Sequence, residues 1–473
     1  MTIFTLLCEQ IETGRQARFF YDNQNSCLTD ELGNRITAPE GMTVPPRDYM
    51  NVMPFPATSK ETPNSKIAAI KKLKIQLGLH CNYDCSYCNQ RQSLQQGDAL
   101  STPADIEQFL ASLPNWFDGG EDGQGTGVQI EFWGGEPFVY WKTFKPLAEI
   151  LRERYPYAQF AVITNGSLLD TEKNDWLVRL GFTVAISHDG PGYHARGLDP
   201  LNDPKKSEAI FDLYQKLSPL GRISINAMMH KDNPSRAAIN QWMTKHFGNE
   251  VVIGEGTFID PYDASGLSAS TPNPAWARDY AKQAFLEMRA GLAKNMPIAY
   301  DKVIDFVDSI INQRPASVLG QKCGMDRQDA IAVDLKGNVL TCQNVSASAM
   351  APNGNSHRLG HVSDLSNVKL NTATHWSQRP DCNHCPVLQL CKGSCMFLEG
   401  ELWERSCDNA FADNIAFFAA GIELLTGFVP VYIEDHNGAT IQNHRKDIFG
   451  LIHPSTNTPA PSLTRKIIPI YPA

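Results

Sequence analysis

The run Cys81-Asn82-Tyr83-Asp84-Cys85-Ser86-Tyr87-Cys88 spaces three cysteines as Cys-x3-Cys-x2-Cys, directly after the largely apolar stretch Ile75-Gln76-Leu77-Gly78-Leu79. Three thiolates on one short loop suit three corners of a cubane iron-sulfur cluster, and the fourth iron then has no protein ligand supplied locally. An iron left free can bind a small molecule and act on it. A cluster closed by four cysteines can only pass electrons or brace the fold. A zinc knuckle is the competing reading, although zinc sites usually add a second ligand pair further along the chain.

Composition decides which setting those thiols belong to. The chain has 473 residues, enough for two or three domains with a sizeable core. Twelve cysteines in a chain of this length do not fit a small secreted disulfide scaffold. Ten of them fall in two clusters with metal-type gaps, and only Cys8 and Cys27 stand apart as ordinary thiols. Metal ligation in a reducing, cytoplasmic compartment is therefore expected. The start, Met1 to Glu9, lacks the basic residues and cleavage site of a signal peptide. No uninterrupted apolar stretch reaches the length of a membrane span, so a soluble chain is expected. The net charge of -9 argues against a nucleic-acid partner. The local basic group Lys66, Lys71, Lys72 and Lys74 reads as a solvated face.

Residues 1–70 read as an N-terminal appendage and linker, with short strands at Ala17–Tyr21 and Leu32–Ile36 and a Pro- and Met-rich passage after them. Over 71–265, strand-like runs alternate with helical ones, which is the pattern of βα units on a parallel sheet. Strands are expected at 74–79, 127–132, 159–163, 183–186, 222–228 and 251–258. Helices are expected at 102–113, 141–154, 172–180, 205–217 and 236–245. Six units suit a partial α/β barrel better than a closed one of eight. Residues 266–318 carry two bridging helices. A cysteine-rich region follows over 319–412, then a C-terminal helix, strand and tail over 413–473, the helix read from Asn409 to Thr426, the strand over Phe428–Tyr432 and the extended tail over Pro454–Ala473.

Ligands of parallel sheets and barrels gather at the carboxyl ends of the strands, and the remaining motifs fall there. Gly134-Gly135-Glu136-Pro137 follows the second strand, where two glycines let backbone approach a ligand and the carbonyls with a carboxylate suit a protonated amine. Thr164-Asn165-Gly166 follows the third strand, and Ser187-His188-Asp189-Gly190-Pro191 the fourth. His188 reads as a packing histidine, with substrate contact as the alternative, and Asp189 as a brace for its loop. In the second cysteine set, Cys323 is followed by Gly337 and Cys342, and then by Cys382-x2-Cys385-x5-Cys391-x3-Cys395 and Cys407. Seven cysteines are too many for one four-ligand site and one short of two.

The first loop, with an aromatic just before its third cysteine, resembles the signature of the radical S-adenosylmethionine (SAM) enzymes. The second set resembles, gap for gap, the SPASM domain, a C-terminal extension of that family carrying two auxiliary clusters. The resemblance spans about 71–410 and implies a partial (β/α)6 barrel, SAM and three 4Fe-4S clusters. Cys81, Cys85 and Cys88 would hold the SAM-binding cluster and be catalytic as its ligands. The loop of Gly134, Gly135, Glu136 and Pro137 would take the methionine amine. Asn165 and Ser187 would lie on the cofactor, with Ser187 bonding the ribose, and Tyr87 would border the adenine or only shield the cluster. Arg196 would reach the SAM carboxylate. Cys382, Cys385, Cys391 and Cys407 would bind the outer auxiliary cluster, and Cys323, Cys342 and Cys395 the inner one. The inner cluster's fourth position is either an aspartate such as Asp329 or an open iron, with the open iron preferred.

In that family a reduced cluster cleaves SAM, and a 5'-deoxyadenosyl radical takes hydrogen from substrate. The resemblance implies a peptide- or protein-modifying maturase acting on a ribosomally made precursor, by crosslinking or oxidation. Its electron donor would be a flavodoxin or ferredoxin. Sulfatase-type maturation is disfavoured, because Gln343 stands where that group has an aspartate base. A SAM-dependent radical dehydrogenase of a small alcohol or amino sugar is the enzymatic alternative. A noncatalytic iron-sulfur or zinc interaction protein is the alternative from another class.

Overall fold

The computed structural model describes residues 3–435 other than 50–51, 68, 98–100, 249–250, 252, 255–256 and 293–296. The tail expected over 454–473, and part of the strand expected over 251–258, lie outside the described residues.

Five strands, Lys72–Gln76, Gln129–Trp133, Gln159–Thr164, Phe182–Ser187 and Ile223–Asn226, pair in parallel and in chain order. After Ala227 the fifth resumes as Met228–Met229 and pairs in parallel with a sixth, Thr257–Phe258. Helices Pro103–Ser112, Trp141–Arg154, Thr171–Arg179, Pro204–Leu217 and Arg236–Phe247 alternate with these strands. Because crossovers are right-handed and the strand order never reverses, every connecting helix lies on the same face, and the sheet curves with its other face inward. Polar side chains start the helices where the sequence supplies them: Asp170, Asp203 and Ser235 accept backbone N–H groups of their own first turns. Phe132, Phe144, Phe160 and Phe182 are all buried, with ring centroids between the first two 4.9 Å apart, and they seal the Trp141–Arg154 helix onto the sheet. Burying each such side chain stabilises the fold by about 2–3 kcal/mol.

The cysteine-rich region is built onto the barrel's first strand. Ala330–Asp334 pairs in parallel with Lys72–Gln76, then in antiparallel with Asn338–Leu340, which pairs with Arg358–His361, so the sheet reaches eight strands. Gly337 makes the turn between the first two of these at φ +80°, and a Cβ there would lie 2.6 Å from His361 Nε2. From that turn Asn338–Leu340 runs back along the sheet, Leu340 lying opposite Ala332, and the carbonyls of Gln343 and Val345 then accept Gln76 Nε2 at 2.7 and 2.9 Å, which holds the Cys342 segment against the first barrel strand.

The N-terminal residues are part of the core. Ile3–Glu9 pairs with Gln16–Asp22 on one side and Val429–Asp435 on the other, and Cys27–Thr29 completes a four-stranded antiparallel sheet. Phe4, Leu6 and Tyr21 are fully buried, and Tyr21 packs edge-on against Phe306 and Phe418. Leu32–Ile36 is not a strand. Asp30 accepts the N–H groups of Leu32 and Asn34 and closes a turn there, leaving Leu32 86% exposed.

The helix expected from Asn409 begins at Gly400 and runs to Thr426. It packs against Pro274–Leu292 and Pro297–Ile311. Among the described residues no helix is long and apolar enough to cross a membrane.

Candidate active site

The cysteine loop leaves its strand through Gly78, whose φ of +137° and lack of a side chain let the Tyr140 hydroxyl come within 2.4 Å of where a Cβ would stand. That hydroxyl accepts the His80 N–H at 2.8 Å. The Gly135 N–H donates to the Gly78 carbonyl and the Glu136 N–H to the His80 carbonyl, each at 3.0 Å, so the two loops zip together backbone to backbone. A Cβ on Gly135 would sit 2.2 Å from the Leu79 carbonyl oxygen. Glycine is thus required at 135 by the close approach.

Glu136 is buried and braces the next strand end. Its carboxylate accepts the Asn165 N–H at 2.7 Å, the Thr164 hydroxyl at 2.8 Å and the Phe138 N–H at 3.1 Å. Burial pushes its carboxyl up despite those bonds. Pro137 is buried and opens the short helical turn Pro137–Tyr140. Asn165 Nδ2 donates to Asn82 Oδ1 at 2.9 Å and lies 3.9 Å from Cys81 Sγ, tying the third strand to the cysteine loop.

Cys81, Cys85 and Cys88 line a cavity of about 490 Å³ with Gly134, Gly135, Glu136, Asn165, Ser187 and Arg196. Tyr87 lines it too, but its hydroxyl is turned to the protein: it donates to Asp189 and accepts from Arg196 Nη1 at 2.9 Å. Asp189 also accepts the Met228 N–H at 3.0 Å, which makes it the expected brace. Arg196 Nε is buried without a partner. His188 is buried and faces away from this chemistry, with Nε2 3.0 Å from Asp199, Nδ1 accepting the Gly190 N–H, and its ring stacked on Trp242.

The same cavity is also lined by Cys323, Cys342 and Cys395. The remaining four cysteines of the second set form their own group: burial pushes the Cys382 thiol up, and the charges of Cys391, Cys407 and Cys385 add to it. Burial likewise holds Cys85 and Cys391 up to about 11 and Cys342 up to about 12. Thiols in that state are neutral at physiological pH and poor nucleophiles, and they ionise when a metal takes the place of the proton. The donor set fits iron-sulfur clusters: soft thiols in groups of three, three and four, the first beside a glycine-lined loop and a cavity in the usual range for bound ligands. Among the described residues no three His, Cys, Asp or Glu side chains converge on a single ion's position. A cubane, being a larger body, holds its thiolates further apart.

Residues 75–238 match the family described as the Radical SAM superfamily. The chain carries a radical SAM domain. Over 352 residues it is 20% identical to the radical SAM cyclopropyl synthase TigE of Paramaledivibacter caminithermalis, covering 69% of this chain and 68% of that one. It is 27% identical over 164 residues to an S-adenosylmethionine-dependent nucleotide dehydratase of Psychrobacter lutiphocae, covering 33% of this chain and 54% of the relative's length. Among solved structures, native anSMEcpe with bound AdoMet and Cp18Cys peptide superposes with a TM-score of 0.51 at 19% identity, over 75% of this chain and 99% of that one. That likeness is one of fold. A radical SAM domain implies a 4Fe-4S cluster and SAM, and Cys81, Cys85 and Cys88, which line the cavity, would hold that cluster.

The sequence left several cavity residues unnoticed. Asn226, Asp260, Tyr262, Lys322 and Asn344 all line it. Asn226 and Asp260 lie at or just beyond strand ends, where the carboxyl-end rule pointed, but they carry no motif. Gln90 also went unremarked, and its Nε2 joins the Gly134 carbonyl to Asn344 Oδ1, each at 3.1 Å.

Proposed function

We propose that this chain is a radical SAM maturase that reductively cleaves SAM and removes a hydrogen atom from a side chain of a peptide or protein, as one step of crosslinking or oxidation. The observation that carries the reading is the single cavity lined by both Cys81, Cys85 and Cys88 and Cys323, Cys342 and Cys395. When bound, the clusters and SAM supply the electron, the 5'-deoxyadenosyl radical and an acceptor for the electron left on substrate. The protein's part is to seat them. The Gly134–Gly135 backbone and Asn165 would frame SAM, Ser187 would bond its ribose, and Arg196 would reach its carboxylate, all of them lining the cavity.

The two groups of cysteines are read as SPASM-type auxiliary sites. Asp329 is engaged by Arg327 through two hydrogen bonds of 2.7 and 2.6 Å, which favours an open iron over an aspartate ligand at the inner site. Gln343 is no base either: its side-chain oxygen accepts the buried Lys74 ammonium at 3.1 Å, which speaks against sulfatase-type aldehyde formation. A flavodoxin or ferredoxin in a cytoplasmic setting is the proposed electron source.

Anaerobic reconstitution tests the reading. About twelve irons per chain are expected for three four-iron clusters, with 5'-deoxyadenosine released when reduced protein meets SAM. A loss of two mass units on a small peptide encoded beside this chain identifies the substrate class. Turnover of a small alcohol or amino sugar instead assigns the dehydrogenase alternative, and bound zinc with no SAM cleavage assigns the noncatalytic one.

A further inference from the structure

Asp260 stands just beyond Thr257–Phe258, the last of the parallel strands, and lines the cavity. Its Oδ1 accepts the hydroxyls of Ser394 and Ser406, both at 2.6 Å, and Lys322 Nζ lies 3.9 Å from its Oδ2. Each of these three partners directly precedes a cysteine of the second set: Lys322 precedes Cys323, Ser394 precedes Cys395, and Ser406 precedes Cys407. One carboxylate on the barrel thus holds the chain next to two ligands of the inner group and one of the outer group.

The segment it holds needs holding. Lys392, Gly393 and Ser394 are left-handed in succession, at φ +52°, +80° and +56°, a conformation that only the glycine adopts without strain. This backbone turns Cys395 into the cavity while Cys391 stays with the outer group. The Ser394 and Ser406 hydroxyls lie 2.6 Å from each other, so the loop and the Gly400–Thr426 helix meet at Asp260.

We propose that Asp260 is a positioning residue that fixes both auxiliary cysteine groups against the barrel and, through its charge, lowers the reduction potential of the clusters they hold. The inference rests on reading those groups as cluster sites. A fixed negative charge beside an anionic cluster opposes the addition of an electron. Its carboxylate reaches both groups, since Ser394 and Ser406, each 2.6 Å from Oδ1, adjoin Cys395 of the inner group and Cys407 of the outer one.

The test uses full-length reconstituted protein, with iron analysis and an EPR-monitored redox titration. Asp260→Asn keeps an oxygen for the serines and removes the charge. It is expected to retain the wild-type iron while the auxiliary midpoint potentials move positive and that of the SAM-binding cluster stays in place. Asp260→Ala removes the brace as well and is expected to lose about four irons or more. If that variant fails to fold, Ser394→Ala is expected to lower occupancy or alter the signal of the inner cluster. Unchanged auxiliary potentials in fully loaded Asp260→Asn overturn the proposal alone. Wild-type protein that takes up only about four irons overturns the auxiliary-cluster reading, and the proposal with it.

Discussion

Arg196 Nη1 donates to the Tyr87 hydroxyl at 2.9 Å, and that hydroxyl donates in turn to Asp189, whose other oxygen lies 3.6 Å from the same guanidinium. The residue before the third cysteine of the loop therefore aims the arginine that faces the cavity. A lysine at 196 keeps the charge but not the fork that reaches both Tyr87 and a carboxylate. Hydrogen bonds to charged groups contribute about 1.5–3 kcal/mol, so Arg196→Lys is expected to weaken SAM binding roughly 10- to 100-fold. Iron content should not change. Equilibrium dialysis of reconstituted protein with labelled SAM checks this, and an unaltered affinity removes Arg196 from the site.

Gly135 tests the loop pairing. A methyl group there meets two backbone carbonyl oxygens, those of Leu79 at 2.2 Å and His80 at 2.3 Å, and neither can rotate away. Gly135→Ala is expected to push the cysteine loop off the Gly-Gly loop, with a stability loss of about 2 kcal/mol or more and poorer iron loading. Gly221→Ala is the control: Gly221 is left-handed, at φ +62°, which Gly135 is not, so an added Cβ there costs backbone strain but meets nothing within 4 Å. Equal iron loading in the two variants would mean that the contact between the loops does not matter.

The parallel succession was legible because each of its strands carries Ile, Leu, Val or Phe at alternate or successive positions, with helix-starting residues such as Asp170 and Ser235 between strands. The first cysteine loop was legible because ligand spacing is local. What escaped depends on partners distant in sequence. Ile3–Glu9 reads as a strand only beside Val429–Asp435, more than four hundred residues away. The helix holding Cys407 was expected nine residues late, because Gly400 and the polar run to Arg405 carry little helical signal before the apolar face begins. At the site, the bonds that Glu136 accepts from Thr164, Asn165 and Phe138 were not foreseen, since the first two come from the end of the next strand. Asp260 gave no signal, since its partners are serines and a lysine from segments that meet only in three dimensions.

His357 gives the C-terminal region an acid sensitivity. The ring is buried, edge-on to Phe397 at 5.0 Å, with Nδ1 3.0 Å from the Thr341 hydroxyl, and burial lowers its pKa to about 4. A histidine held neutral in the fold contributes stability that is intact above its ordinary pKa near 6.5 and is lost as pH falls toward 4. Between about pH 6.5 and 5 this amounts to about 2 kcal/mol. Thermal unfolding of the apo protein at about pH 7.5 and 5 should therefore show a larger loss in wild type than in His357→Gln. Parallel losses would mean that His357 is protonated in the folded state.

The two cysteine groups that border the cavity and the one set apart from it should fail differently. Cys81 lines the cavity, so Cys81→Ala is expected to remove about four irons and all release of 5'-deoxyadenosine. Cys382, Cys385, Cys391 and Cys407 do not line it, and reductive cleavage of SAM needs an electron only at the first cluster. Cys391→Ala is accordingly expected to lose about four irons while still releasing 5'-deoxyadenosine, with product formation on peptide falling well below that release. Cys342→Ala stands between them, since its thiol faces the cavity and its loss opens the inner site to solvent. It should retain SAM cleavage and lose product. Iron analysis with paired quantification of 5'-deoxyadenosine and modified peptide separates the three variants. If Cys391→Ala abolished SAM cleavage as completely as Cys81→Ala, the outer group would have to lie on the route by which electrons reach SAM rather than the route by which they leave substrate.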